Sequence, residues 1–172
     1  MNTVPADSEK LPDQLQANMR VVFVGKAAGQ KSAEVGAYYA HRGNRFWSAL
    51  YEVGLTSRRY EPHEFGKLLE SGIGFTDLCK SAAGMDHQIS VHQSDLERFE
   101  AKMRQYRPKA VAFTSKNAAS LFLGRPTTQI ALGRQQTRAD FPEIFVLSSP
   151  SGVAASHWDV TSWHQLAEWI DN

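Results

Sequence analysis

The alternation of apolar and polar positions changes period several times along the chain, and each change marks an element. Residues 20–24, apolar from Val21 onward, hold a short run that marks a strand covered on both faces. A glycine-rich loop follows to about Gly43. Over residues 44–53, Phe46, Trp47, Leu50 and Val53 recur at helical spacing. Residues 62–70 read as a second helix with proline in its first turn. Residues 72–78 read as a second strand, and a loop through Gly84 and Asp86 follows. Residues 94–106 predict a helix, with Ser94 and Glu97 at capping-box spacing and Pro108 beyond its end. A third strand is expected over 110–114, a short helix over 117–123 closed by Gly124, and a fourth strand over 144–147. The last helix, 162–170, carries Trp163, Leu166, Trp169 and Ile170 on one stripe.

Strands that alternate with helices predict an α/β fold. The expectation is a single domain of three α/β/α layers around a central, mostly parallel, four-stranded sheet. In such sheets the working residues lie at the carboxyl ends of the strands. That directs attention to residues 25–32, 76–86, 114–117 and 148–158. Residues 1–19 are polar and lack an apolar signal core, so they are expected to form a partly disordered leader, with 20–172 as the domain.

Composition narrows the classes. A length of 172 residues suits one domain with a sizeable core. The formal net charge is +1, so any nucleic-acid contact must come from a local basic face. The one cysteine, Cys79, rules out an internal disulfide and fits a reducing compartment. No apolar run approaches the about 20 residues that span a bilayer. A cytoplasmic, nucleoid-associated protein without membrane contact is expected.

The stretch 21–32, VVFVGKAAGQKS, resembles a phosphate-binding loop after a first strand. A Walker A loop needs G-x-x-x-x-G-K-S/T, so that backbone amides and the lysine meet the same phosphates. Here the second glycine comes one residue early and Gln30 separates it from Lys31. The residues after Ser32 show no apolar-periodic helix.

Other motifs place the stretch differently. After VVFVG-KAAG come Ser32, Tyr38-Tyr39, and then Ala40-His41-Arg42-Gly43-Asn44-Arg45-Phe46-Trp47. The second strand reads Gly74-Phe75-Thr76-Asp77-Leu78-Cys79, and Ser149-Pro150-Ser151-Gly152 follows the fourth. In order and spacing these resemble the uracil-DNA glycosylase superfamily, above all its mismatch-specific branch, the Mug and thymine-DNA glycosylase group. That branch carries G-I-N-P-G, A-H-P-x-N-R-F-W and N-P-S-G at the corresponding places. The resemblance covers roughly residues 20–170.

It implies an enzyme that flips a nucleotide out of DNA and hydrolyses its N-glycosidic bond. The sugar gains oxocarbenium character and the base leaves as an anion. A carboxylate or polarised water suits the first, and fixed donors suit the second. No metal or organic cofactor is implied. The partner implied is uracil-containing DNA, double- or single-stranded, acted on by a monomer. Gly25, Lys26, Ala27, Ala28 and Gly29 would line the base pocket, together with Ser32, Tyr39 as the stacking aromatic, Phe75 and Ser149. His41, Asn44, Lys116 (beside Asn117), Ser151, Gly152, Val153 and His157 would meet DNA, although Asn44 also suits a helix cap. The segment 125–138, with three arginines and no acid before Asp140, is a further candidate phosphate-tracking face.

The sequence departs from the family in two places. Ala27 stands where G-I-N-P-G has the asparagine that positions water. Asp77 is the foremost candidate to take over that duty, with Asp86 second, because a carboxylate can both accept a proton and stabilise a sugar cation. Ser149 replaces the asparagine of N-P-S-G, and Val153, Ala154 and Ala155 would form a small wedge. Weak dependence on the opposite base follows. Two other readings stay open: a catalytically inactive DNA- or base-binding module on the same fold, and a P-loop phosphotransferase.

Overall fold

A computed structural model describes residues 9–171. Five strands form one sheet: β1 (Val21–Ala28), β2 (Ile73–Ala83), β3 (Ala110–Phe113), β4 (Gly133–Arg134) and β5 (Glu143–Val146). Their spatial order is β2-β1-β3-β5-β4. All neighbouring pairs are parallel except β4 with β5. The helices are α1 (Gln30–Val35), α2 (Phe46–Glu52), α3 (Gln93–Tyr106), α4 (Lys116–Leu123) and α5 (Thr161–Asp171). The two-residue strand β4 is the addition to the four expected; two residues are too short to leave a readable alternation.

Strand alternation builds two cores, one on each face of the sheet. Val21 and Phe23 of β1 face the same side as Phe75, Ala112 and Phe145, and pack against Phe46 and Leu50 of α2 and Trp163, Leu166 and Ile170 of α5. Val22 and Val24 join Leu78, Val111, Phe113, Ile144 and Val146 against Phe99 and Met103 of α3 and Ala118 and Ala119 of α4. Burial of each large apolar side chain contributes roughly 1.5–3 kcal/mol, which fixes register as well as layering.

Several expected boundaries move. β1 does not stop at Val24 but runs to Ala28, because β2 is also longer, reaching Ala83, and keeps pairing with it. The glycine-rich loop contains the helix α1, entered at Gly29 and closed by Gly36 at φ 71°. Residues Pro62–Leu69 form a 3-10 helix, where Glu61 N–H donates to Glu64 Oε2 at 2.9 Å. The α3 cap lies two residues earlier than Ser94: His92 N–H donates to Asp95 Oδ2 at 2.8 Å.

The expected leader also differs. Residues 1–8 lie outside the described residues, but the rest of it packs onto the domain. Leu11 and Met19 are buried. Gln14 pairs with Phe75 through both backbone hydrogen bonds, at 2.9 and 3.0 Å. This covers the outer edge of β2, an unpaired edge being otherwise a liability.

Strand lengths open the site. β3 ends at Phe113, whose partner is Val24. Residues Gly25 to Ala28 of β1 therefore extend past β3 with a neighbour on the β2 side only. The chain leaves β1 towards β2 on one side and returns as β3 on the other, so the gap lies at the topological switch point.

Candidate active site

A cleft of about 1430 Å³ occupies this gap. Its walls come from the end of β1, the α1–α2 connection, the loop after β2, the start of α4 and the loop after β5. Gly25, Lys26, Ala27, Ala28, Gly29, Ser32, Tyr39, Asp77, Asp86 and Ser149 all line it, as do His41, Asn44, Lys116, Ser151, Gly152, Val153 and His157. Phe75 does not. It is fully buried among Phe23, Tyr38, Phe46, Trp47 and Phe65, and the expectation that it borders the base pocket is corrected. It shares a sheet face with Asp77, but lies one pleat deeper, beneath the aromatic layer.

Asp77 is the central group. It pairs in register with Gly25, and a Cβ placed on Gly25 would lie 2.6 Å from Asp77 Oδ1. Only 6% of the residue is exposed. Among the described residues its carboxylate accepts no hydrogen bond, so water or a ligand in the cleft is its available partner. Burial pushes its pKa up to about 6; Lys80 opposes the rise, while Asp13 and Asp86 add to it. A carboxylate poised near neutrality in a cleft is a candidate for proton transfer.

Asp86 is a different case. It begins a one-turn 3-10 helix, Asp86–Gln88, and is exposed on the rim. Lys26 Nζ donates to its backbone carbonyl, which ties the tip of β1 to this loop.

Tyr39 borders the cleft with one ring face covered by Phe46, at a centroid distance of 4.1 Å and an interplanar angle of 12°. Its Oη lies 3.1 Å from Thr114 Oγ1. Its backbone has φ 52°, a left-handed conformation unusual for an aromatic residue and of the kind found at functional sites. Burial and the neighbouring Asp77 raise the Tyr39 phenol well above its ordinary range, so it stays a neutral hydroxyl.

Four polar residues of the expected site hold loops in shape. Ser32 Oγ accepts from Ala40 N–H at 3.0 Å. Asn44 Oδ1 accepts from Phe46 N–H at 2.9 Å, an Asx turn leading into α2; the cap position itself falls on Arg45, without a side-chain bond, so the expected cap lies one residue off. His41 Nδ1 accepts from Gly43 N–H at 3.0 Å, which places the proton of a neutral ring on Nε2. Ser149 Oγ accepts from Ser151 N–H at 3.3 Å. The two loops are joined: Arg45 N–H donates to Pro150 O at 2.8 Å, and a Cβ on Gly152 would lie 3.3 Å from Gly43 O.

Around the mouth, Lys116 stands exposed at the start of α4, whose cap is Ser115 Oγ accepting from Ala118 N–H at 3.1 Å. Gly152–His157 form a 3-10 turn with Val153 at its tip, 82% exposed. In the arginine-rich segment, the candidate phosphate-tracking face, two of the three arginines have acidic partners within the protein. Arg134 pairs with Glu143 at 3.1 Å and Arg138 with Glu100 at 3.2 Å, and both guanidiniums lie over aromatic rings. Their acidic partners lie outside the segment, so the sequence window looked more basic than the surface is.

Residues near the site that the sequence reading missed are Tyr38, Lys80 and Asp13. Lys80 directly follows the apolar pair Leu78–Cys79 at the expected end of the strand, a local inconsistency that could have been a signal. Asp13 sits in the supposed leader and carried none.

The phosphotransferase reading fails on geometry. β1 stays paired with β2 through Ala28, and only Gly29 separates it from α1. A multi-residue loop that would wrap phosphates is missing from this connection, and Lys31 is exposed.

Comparison with known proteins agrees with this fold. The chain resembles the solution NMR structure of a candidate uracil DNA glycosylase from Methanosarcina acetivorans, with a TM-score of 0.56 and 18% identity over 94% of this chain and 97% of that one. A sequence model of the uracil DNA glycosylase superfamily matches residues 12–171, including most of the packed N-terminal segment. On that match, the chain belongs to the uracil DNA glycosylase superfamily.

Proposed function

We propose that this protein excises uracil from DNA by hydrolysis, with Asp77 as its catalytic carboxylate. The observation that carries this reading is Asp77 itself: buried, without a hydrogen-bond donor among the described residues, and directed at the cleft beside Gly25. Superfamily membership supports glycosylase chemistry on DNA.

The flipped nucleotide enters the cleft at the end of β1, with its base against Tyr39. Ionised Asp77 accepts a proton from water as the water oxygen attacks C1′ of the sugar. The N-glycosidic bond breaks with its electron pair leaving on the base. The negative carboxylate also stabilises the cationic sugar in between. The products are an abasic site and the free base, which takes up a proton. Lys116, His41 and the loop through Ser151 and Gly152 hold the phosphates on either side. Because Val153 is a small wedge, a single strand and both duplex contexts are substrates, bound by one copy of the chain.

The test is a uracil-containing oligonucleotide incubated with the protein and then treated with alkali. Strand cleavage that disappears in Asp77→Ala supports the reading. Lack of cleavage by the folded wild-type protein on uracil single-stranded, opposite guanine and opposite adenine would sink it.

One observation favours a second reading, a DNA- or base-binding module without hydrolysis. Ala27 lines the cleft and has no side-chain group that can hold a water. Tight binding to uracil-containing DNA with no base released would select that reading.

A further inference from the structure

Behind the cleft wall lies a cluster of charges that the reaction as described does not use. Lys80, 4% exposed, pairs with Asp13 Oδ1 at 2.8 Å and donates to Tyr38 Oη at 3.2 Å. Asp13 also binds Lys102 of α3 through Oδ2, and Thr76 Oγ1 donates to its Oδ1 at 2.6 Å. Tyr38 Oη in turn donates to Pro12 O at 2.8 Å, and Tyr38 lines the same cleft as Asp77.

Asp13 is one anion held by two cations. The nearest uncompensated anion on the same strand is Asp77, which has no donor of its own. A buried ion pair is a poor device for stability alone, since apolar residues of similar size often do as well or better. Lys80 reaches the cleft side of the sheet through Tyr38 Oη, and the Tyr38 ring stacks at 5.0 Å on Phe75, two residues before Asp77 on the same strand face.

We propose that Lys80, fixed by Asp13 and Tyr38, is a positioning residue whose ammonium holds the Asp77 carboxylate in its ionised, proton-accepting form. The N-terminal segment thereby belongs to the catalytic apparatus rather than to a leader. The groups whose charge or hydroxyl acts on Asp77 are Lys80 on β2, Asp13 from the N-terminal segment, Asp86 at the rim, and the Tyr38 and Tyr39 hydroxyls. Burial is the largest influence and favours the neutral acid; Lys80 is the main cation opposing it, while Asp13 and Asp86 work in the same direction as burial.

This inference rests on the catalytic reading of Asp77, but it can be tested without turnover. The Cγ resonance of Asp77, followed by carbon NMR in the full-length protein, reports its titration directly. Lys80→Met should move the midpoint upward by about one pH unit or more, and Lys80→Arg should restore it. Asp86→Asn removes an anion at the rim without touching Lys80 and should move the midpoint downward. Shifts of opposite sign are the expected signature, since structural damage would not reverse sign between the two variants. The acidic limb of kcat/KM on a uracil oligonucleotide should follow both shifts.

If both variants shift the midpoint the same way, or neither does, the proposal is overturned. Should Lys80→Met fail to fold, Lys80→Gln, which can still donate to Asp13 and Tyr38 Oη, decides by the same readout: an upward shift supports the proposal and an unmoved midpoint overturns it. If the wild type releases no base while the opposite shifts appear, Proposed function fails and the electrostatic coupling stands.

Discussion

Gly25 and Asp77 meet across the β1–β2 ladder with no room for a methyl group between them: a Cβ on Gly25 would lie 2.6 Å from Asp77 Oδ1. The glycine is needed here for space, and its φ is not in the left-handed region. Gly25→Ala must push the carboxylate aside. A displacement of about 1 Å at a reacting group costs on the order of a hundredfold in rate. Steady-state kinetics on a uracil oligonucleotide should show that loss in kcat, with circular dichroism unchanged.

Asp77→Asn should lower kcat by about 10²–10⁴, the usual contribution of a positioned acid–base group. The same variant should be more stable at pH 7. The folded-state pKa of about 6 lies above the ordinary value of 3.8, so the folded protein favours the neutral acid. The stability contributed by this group is therefore present below pH 3.8 and is lost as pH rises through about 6. Asparagine removes that loss. Thermal melts of both proteins at pH 4 and pH 7 check it: Asn should melt higher at pH 7, and the gap should close at pH 4.

Wild-type activity should fall as pH drops through about 6, because the working form of Asp77 is the anion. A pH profile of kcat/KM that stays flat between pH 5 and pH 8 would remove Asp77 from the role of base.

Asp86→Ala should keep activity within about threefold, since its side chain lies exposed on the rim and only its backbone carbonyl is used, by Lys26. A loss as large as that of Asp77→Asn would move the catalytic assignment to Asp86.

Salt dependence separates true phosphate contacts from paired arginines. Lys116→Ala should reduce the slope of log binding constant against log salt by about one. Arg134→Ala and Arg138→Ala should leave it unchanged, because Glu143 and Glu100 already hold those side chains. Fluorescence anisotropy titrations at several salt concentrations measure all three.

Local chemistry was legible in the sequence to different depths. The apolar run at Val21–Val24 and the stripe of Trp163, Leu166 and Ile170 announced the strand and the last helix, since burial demands that periodicity wherever the element sits. Asp77 stood out as an acid in an apolar strand next to family-like motifs. Phe75 did not reveal its place, because alternate residues of one strand face share a side but not a depth. Arg134 and Arg138 looked unpaired, their partners being distant in sequence.

The sequence alone determined the alternating layers and the candidate glycosylase motifs, since both follow from local periodicity and short spacings. Only the tertiary structure decided that β1 outlasts β3 and opens a cleft, that Gly25 leaves space for one carboxylate, and that Asp13 brings a buried lysine behind it. Those relations join residues far apart along the chain. They depend on strand register and on close packing, which a linear pattern does not encode.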